Sequence, residues 1–202
     1  VMWWDKFTSK LDSGNYILPL NGAFSIGFCD HEASFVYSRG YASCLHQTKE
    51  SIKPQTQFQL ASVSKFVTAS LCMLLQHKKL IFIDDPINEY FHEITGFKLS
   101  EDYPPISIRH LLSHSAGIMA SHGFVGVTNP KNTLPELQDF RRREAASMNA
   151  FQVGKYNYTG VSQHILQLFL TLKTQKGFAE LLKCYLTEPY DLLNLTISPP
   201  EL

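Results

Sequence analysis

Hydrophobic and polar positions along the chain change their spacing near residue 60. Trp3, Trp4, Phe7 and Leu11 open the chain on one side of a short amphipathic helix over residues 3–12. Asn21-Gly22 then introduces a β region. Residues 23–29 and 34–39 predict two strands joined at Asp30-His31-Glu32 as a hairpin, with Phe24, Phe28, Phe35, Tyr37 and Tyr41 alternating along a sheet face. Residues 40–45 continue this region and 54–59 read as extended. From Ser62 onward the period is helical: Val63, Phe66, Val67, Ser70, Leu71, Leu74 and Leu75 keep the three-to-four spacing of a buried face. Lys78-Lys79 suits the C-terminal end of that helix, where cations meet the dipole.

Further helices follow the same logic. Asp84-Asp85-Pro86-Ile87 predicts a helix start, with a carboxylate cap and proline in the first turn. Residues 107–113 form a short helix after Pro104-Pro105, 117–131 are loop-rich, and 134–149 are helical. Two more helices, 159–173 and 175–186, break near Gly177. The expected fold class is α+β, with a strand-rich part at 1–60 and a mainly helical part at 61–196, together one domain of residues 1–202. An antiparallel sheet that is begun and not completed leaves an open edge. The sequence therefore predicts that some other segment covers this edge.

Composition removes several classes of function. Lys plus Arg and Asp plus Glu each total 18, for a net charge of zero. Such a balance offers no basic field for nucleic acid and no polybasic tract for a membrane surface. Arg141, Arg142 and Arg143, interleaved with Glu136, Asp139 and Glu144, read as a solvated helix face. No apolar run reaches the ~18 residues of a membrane span. Val1-Met2-Trp3-Trp4-Asp5 has no signal-peptide pattern and reads as the interior of a longer polypeptide. None of the four cysteines forms a CxxC pair; Cys72 and Cys184 read as small core residues, while Cys29 and Cys44 flank the strand-rich stretch at a spacing open to pairing.

One spacing carries chemistry. In Phe58-Gln59-Leu60-Ala61-Ser62-Val63-Ser64-Lys65, Ser62 stands three residues before Lys65. On a helix the two side chains share a face one turn apart. A serine hydroxyl needs a base to become a nucleophile, and a lysine whose pKa is lowered by its surroundings serves as one. The helix N-terminus adds a positive end that stabilises an oxyanion. Alone, Ser-x-x-Lys recurs by chance and describes an N-cap serine beside an exposed lysine.

Three further blocks give it context. They are His77-Lys78-Lys79-Leu80-Ile81-Phe82-Ile83-Asp84-Asp85-Pro86-Ile87; then Ile106-Ser107-Ile108-Arg109-His110-Leu111-Leu112-Ser113-His114-Ser115-Ala116-Gly117-Ile118; then Gly154-Lys155-Tyr156-Asn157-Tyr158-Thr159-Gly160. With the serine segment, in this order, they resemble the serine β-lactamase-related, penicillin-binding-protein-like family, in its class C β-lactamase, DD-peptidase and esterase branch. The resemblance covers about residues 22–196. It implies a β-lactamase/DD-peptidase-like fold and a serine hydrolase or acyl transferase that needs no cofactor or metal. Its substrate would be a β-lactam, a D-Ala-D-Ala-like peptide or a small ester, handled in the periplasm or outside the cell. The resemblance assigns Ser62 as the acylated nucleophile, Lys65 as its neighbouring lysine and Tyr158 as the tyrosine of a Tyr-x-Asn motif that shares the proton work. The block holding His110 and His114 would brace the site.

Two departures from the family pattern stand out. Gly160 occupies the place of the motif asparagine, whose amide would bond substrate and lysine; recruiting Asn157 instead would break the Tyr-x-Asn spacing. A Lys-Thr-Gly or His-x-Gly motif is absent after Tyr158, and losing one oxyanion donor costs about 3 kcal/mol in the transition state. The competing reading is a non-catalytic relative that keeps the fold for binding. Three other features have simpler readings. His110, His114 and His122 lack the glutamate of a zinc motif and read as structural. Asp84-Asp85 reads as a cap. Asn157-Tyr158-Thr159 and Asn194-Leu195-Thr196 match a glycosylation triplet, and the first would put a glycan on the proposed site.

Overall fold

The computed structural model describes residues 2–13, 23–43, 50–95, 99, 101–119, 148–192 and 194–197. The chain divides into two compact units, 1–59 and 60–202.

In the first unit, helix α1 (Met2–Ser13) buries Trp4 and Leu11. Strands β1 (Phe24–Cys29) and β2 (Ser34–Arg39) pair antiparallel, from Phe24 opposite Arg39 to Cys29 opposite Ser34. Asp30 makes the turn: its carboxylate accepts the N–H groups of Glu32 and Ala33, both at 2.8 Å. An Asx side chain thus closes the hairpin where the sequence placed it. The hairpin's aromatics pack on α1, with Phe35 stacked on Trp4 and Phe28 edge-on to Trp3. Tyr37 donates to Asp12, and Arg39 to the carbonyl of Leu11. Strands β3 (Tyr41–Ser43) and β4 (Glu50–Ser51) form a second short ladder. Residues 53–56 turn rather than extend, with Thr56 N–H bonding Lys53 O.

The second unit is built on a 3-10 turn (Ala61–Val63) running into helix α2 (Ser64–His77). α2 buries Thr68, Leu71, Cys72 and Leu75, whereas Val63 and Phe66, expected on the buried face, are 61% and 75% exposed. Leu71 and Leu75 lie in the core with Val67 and Leu74 packed against it, as the spacing predicts; the expected face fails only at its N-terminal end, where Ser62 and Lys65 also stand away from the core. Helix α5 (Val161–Thr174) packs against α3 (Asn88–Thr95), α4 (Ile108–Leu112) and α6 (Phe178–Leu182), and α6 continues as a wider π turn to Thr187 on which α2 packs. Phe91, Leu111, Ile165, Leu166 and Leu181 fill the centre of this core. Each such side chain is worth about 1.5–3 kcal/mol on removal from water.

Strands β5 (Ala116–Ile118) and β6 (Met148–Val153) pair antiparallel, Ala116 opposite Val153 and Ile118 opposite Met148. The expected helix over 134–149 thus ends in a strand at Met148, and its first fourteen residues lie outside the described ones, as do the arginine cluster and Cys44. Gly117, at φ +74°, packs so tightly that a Cβ would stand 2.5 Å from Asn149 O.

Other expectations are corrected. Asp84 does not cap a helix: its carboxylate takes the Arg109 guanidinium in two bonds of 2.5 and 2.9 Å, which holds its pKa below the ordinary aspartate value. Asn88 opens α3 instead, with its amide tied to Pro104 O and Ile106 N–H. Cys72 is buried and its thiol is pushed up to about 12 by burial, but Cys184 is exposed, and Cys29 is a free, exposed thiol.

Candidate active site

The turn that carries Ser62 is built by local bonds. Val63 N–H bonds Leu60 O, and Ser64 Oγ donates to Ala61 O at 2.5 Å. Ala61 holds φ +44°, a left-handed conformation that alanine rarely adopts. Strain of this kind costs on the order of 1–3 kcal/mol and persists only where the surroundings enforce it. No side chain caps α2; the 3-10 turn runs straight into it, Ser64 N–H bonding Ala61 O, and Ser62 stands at that positive end.

Ser62 and Lys65 meet as the one-turn spacing requires: Lys65 Nζ donates to Ser62 Oγ at 3.2 Å. Tyr158 arrives from 96 residues away and donates its phenol to the same oxygen at 2.8 Å. Lys65 Nζ also lies 5.0 Å from the centre of the Tyr158 ring. The three predicted residues therefore form one triangle, with Ser62 Oγ accepting from both partners. Bonds to Lys65 and Ser62 lower the Tyr158 phenol's pKa below the ordinary tyrosine value. Ser62 and Tyr158 are exposed and Lys65 is half-buried, so a carbonyl in solvent can reach the hydroxyl.

The segment between β6 and α5 places Tyr158. Asn157, the alternative to Gly160, points elsewhere: its amide donates to Ile118 O at 2.6 Å. Thr159 is buried, and its hydroxyl accepts Val161 N–H at 3.1 Å, closing the first turn of α5. This is a threonine turn leading into the helix and not an N-cap, because the residue at the cap is Gly160. Gly160 sits at the α5 N-cap with no side chain to offer substrate.

The two histidines are absorbed by backbone. His110 forms a capping box with Ser107 at the start of α4. His114, at φ +55°, accepts Thr159 N–H at Nδ1 (3.3 Å) and lies against the Tyr158 ring, centroids 4.6 Å apart. Burial, then the Lys65 charge, lowers its pKa.

A serine and a lysine one helical turn apart, closed by a phenol from a distant segment, on helices with small antiparallel sheets, define a β-lactamase/transpeptidase-like protein. The Beta-lactamase family model matches residues 28–202, and the chain belongs to that family. It is 24% identical over 150 residues to a β-lactamase of Yersinia enterocolitica, covering 74% of this chain and 36% of that protein. It is 34% identical over 82 residues to penicillin-binding protein 4* of Bacillus subtilis (strain 168), covering 41% of this chain and 16% of that protein. Among solved structures, FmtA from Staphylococcus aureus superposes with a TM-score of 0.70 at 21% identity, over 94% of this chain and 49% of that one. The chain thus spans about a third or less of these curated relatives and about half of the FmtA chain. No helix among the described residues is long and apolar enough to cross a membrane.

Proposed function

We propose that this chain carries the nucleophile and proton-handling groups of a serine hydrolase or acyl transferase, with Ser62 forming the acyl-enzyme. The observation that carries the reading is the convergence of Lys65 Nζ and Tyr158 OH on Ser62 Oγ, at 3.2 and 2.8 Å. In the forward step Ser62 Oγ bonds the carbonyl carbon while its proton passes to the Lys65–Tyr158 pair, whose reactive form lacks one of its two protons and so has a lone pair to receive it. The same pair returns the proton to the leaving nitrogen or oxygen as the tetrahedral adduct collapses. Water or an amine then attacks the ester, and Ser62 regains its proton. No metal or cofactor enters these steps.

The names of the relatives support a substrate with a strained or peptide-like amide. A β-lactam, a D-Ala-D-Ala-like peptide and a small ester present the same electrophilic carbonyl. Residues 1–202 would act as one domain, with a segment C-terminal to them completing the sheet and supplying the second oxyanion donor, and the protein would work in the periplasm or outside the cell. The other reading, a binding relative that performs no turnover, draws on Gly160, which leaves the substrate amide without a side-chain partner.

Turnover of a chromogenic cephalosporin, a D-Ala-D-Ala peptide and a p-nitrophenyl ester, each against Ser62→Ala, tests the proposal. Turnover of at least one, abolished in Ser62→Ala, is expected. Binding of all three without turnover or covalent adduct would establish the binding reading instead.

A further inference from the structure

His114 makes three contacts with the segment around Tyr158: one with each neighbouring residue's N–H and one with the Tyr158 ring. Its carbonyl accepts the N–H of Asn157, the residue before the tyrosine, at 2.7 Å. Its ring nitrogen Nδ1 accepts the N–H of Thr159, the residue after it, at 3.3 Å. Its ring packs on the tyrosine ring itself, 4.6 Å between centroids and tilted by 44°. We propose that His114 is the positioning residue for Tyr158: it grips the peptide on both sides of the tyrosine and holds the phenol over Ser62 and Lys65. This rests on the reading of Ser62, Lys65 and Tyr158 as the reacting groups.

The grip accounts for features that packing alone leaves unexplained. His114 sits at φ +55°, where most side chains are disfavoured and His, Asn and Asp are enriched. That conformation turns carbonyl and ring toward the same strand of chain. The turn is itself anchored: Ser115 N–H bonds His110 O, and Ser115 O accepts Gly154 N–H, both at 2.8 Å. The histidine is therefore fixed to α4 on one side and to the end of β6 on the other. Accepting at Nδ1 requires that nitrogen to carry no proton, so the working ring is neutral with its hydrogen at Nε2. The ionisable groups that face it among the described residues are Lys65 from α2 and the phenols of Tyr156 and Tyr158; the nearby ammonium and burial both favour the neutral ring.

The consequence is specific. Tyr158's lowered pKa comes from its bonds to Lys65 and Ser62, so a phenol that swings away returns to the ordinary tyrosine range. His114→Leu keeps bulk but loses the acceptor and disfavours the backbone. His114→Asn tolerates the left-handed backbone and offers an amide oxygen near the place of Nδ1.

The test uses the full chain labelled with 13C at tyrosine Cζ, the Tyr158 signal being assigned by its loss in Tyr158→Phe. Wild type and His114→Asn should show Tyr158 ionising below the ordinary range, and His114→Leu within it. Fluorophosphonate labelling of Ser62 should slow on the order of 10- to 100-fold in His114→Leu and by less than about threefold in His114→Asn. An unchanged Tyr158 titration in a natively folded His114→Leu would overturn the proposal. If His114→Leu fails to fold, His114→Gly decides, since glycine keeps the left-handed backbone but has neither acceptor nor ring: a Tyr158 still ionising below the ordinary range in that folded variant overturns it equally. The arms separate the two claims. Correct titrations with no labelling of wild type retain the grip and remove the acyl-enzyme, whereas wild-type labelling of His114→Leu retains the acyl-enzyme and removes the grip.

Discussion

At the scale of single residues, Lys65 and Tyr158 divide the handling of one proton. Removing either should cost rate rather than structure, because both lie on the solvent side of α2 and of the segment before α5. Tyr158→Phe and Lys65→Ala are each expected to slow acylation of Ser62 about 10²- to 10⁴-fold, the usual worth of a positioned acid–base group, with unchanged circular dichroism. His114 ties the site to stability. Its folded pKa is below the ordinary histidine value, so between the two the unfolded chain binds more protons. Its contribution to stability is complete above the ordinary value and is lost as pH falls through the folded one. Urea midpoints measured from pH 7 down to 5 should therefore fall more steeply in wild type than in His114→Asn. Cys72, buried and with its thiol raised to about 12, should resist iodoacetamide in the native protein while Cys29 and Cys184 react. Peptide mapping after labelling checks this.

At the scale of elements, the local signals were the legible ones. The hairpin of β1 and β2 was readable because Asp30 carries its own turn chemistry, and α2 because its apolar residues repeat over four turns. The exposure of its N-terminal end was not readable: Val63 and Phe66 are as apolar as Leu71, and only the neighbouring elements decide which of them is covered. The first two residues of strand β6, Met148 and Asn149, fall in the helix expected over 134–149, and the rest in no element, because Met148–Val153 has no independent alternation. Its strand state comes from pairing with Ala116–Ile118, some thirty residues upstream. Asp84 was misread for the same reason, since Arg109 lies 25 residues away. The β5–β6 pairing makes one sharp demand. Gly117→Ala would force a Cβ to 2.5 Å from Asn149 O at a positive φ. It should destabilise by more than about 1 kcal/mol, seen as a lower urea midpoint. Leu71→Ala, in the centre of the helical core, should cost about 2–5 kcal/mol.

At the scale of the whole molecule, the triangle was legible in part from chemistry and in part from likeness. The Ser62–Lys65 contact follows from helical geometry alone. Tyr158 does not: no spacing rule links residues 96 apart, and only the ordered set of blocks resembling the family pointed to it. Membership of the Beta-lactamase family over residues 28–202 explains why these blocks recur together. The chain covers only part of its relatives' length. The most direct measurement is intact mass and tryptic mapping after reaction with a fluorophosphonate. The account predicts one adduct, on Ser62, absent from Ser62→Ala and formed far more slowly in Tyr158→Phe. An adduct on another serine, or labelling of Tyr158→Phe at the wild-type rate, would contradict it.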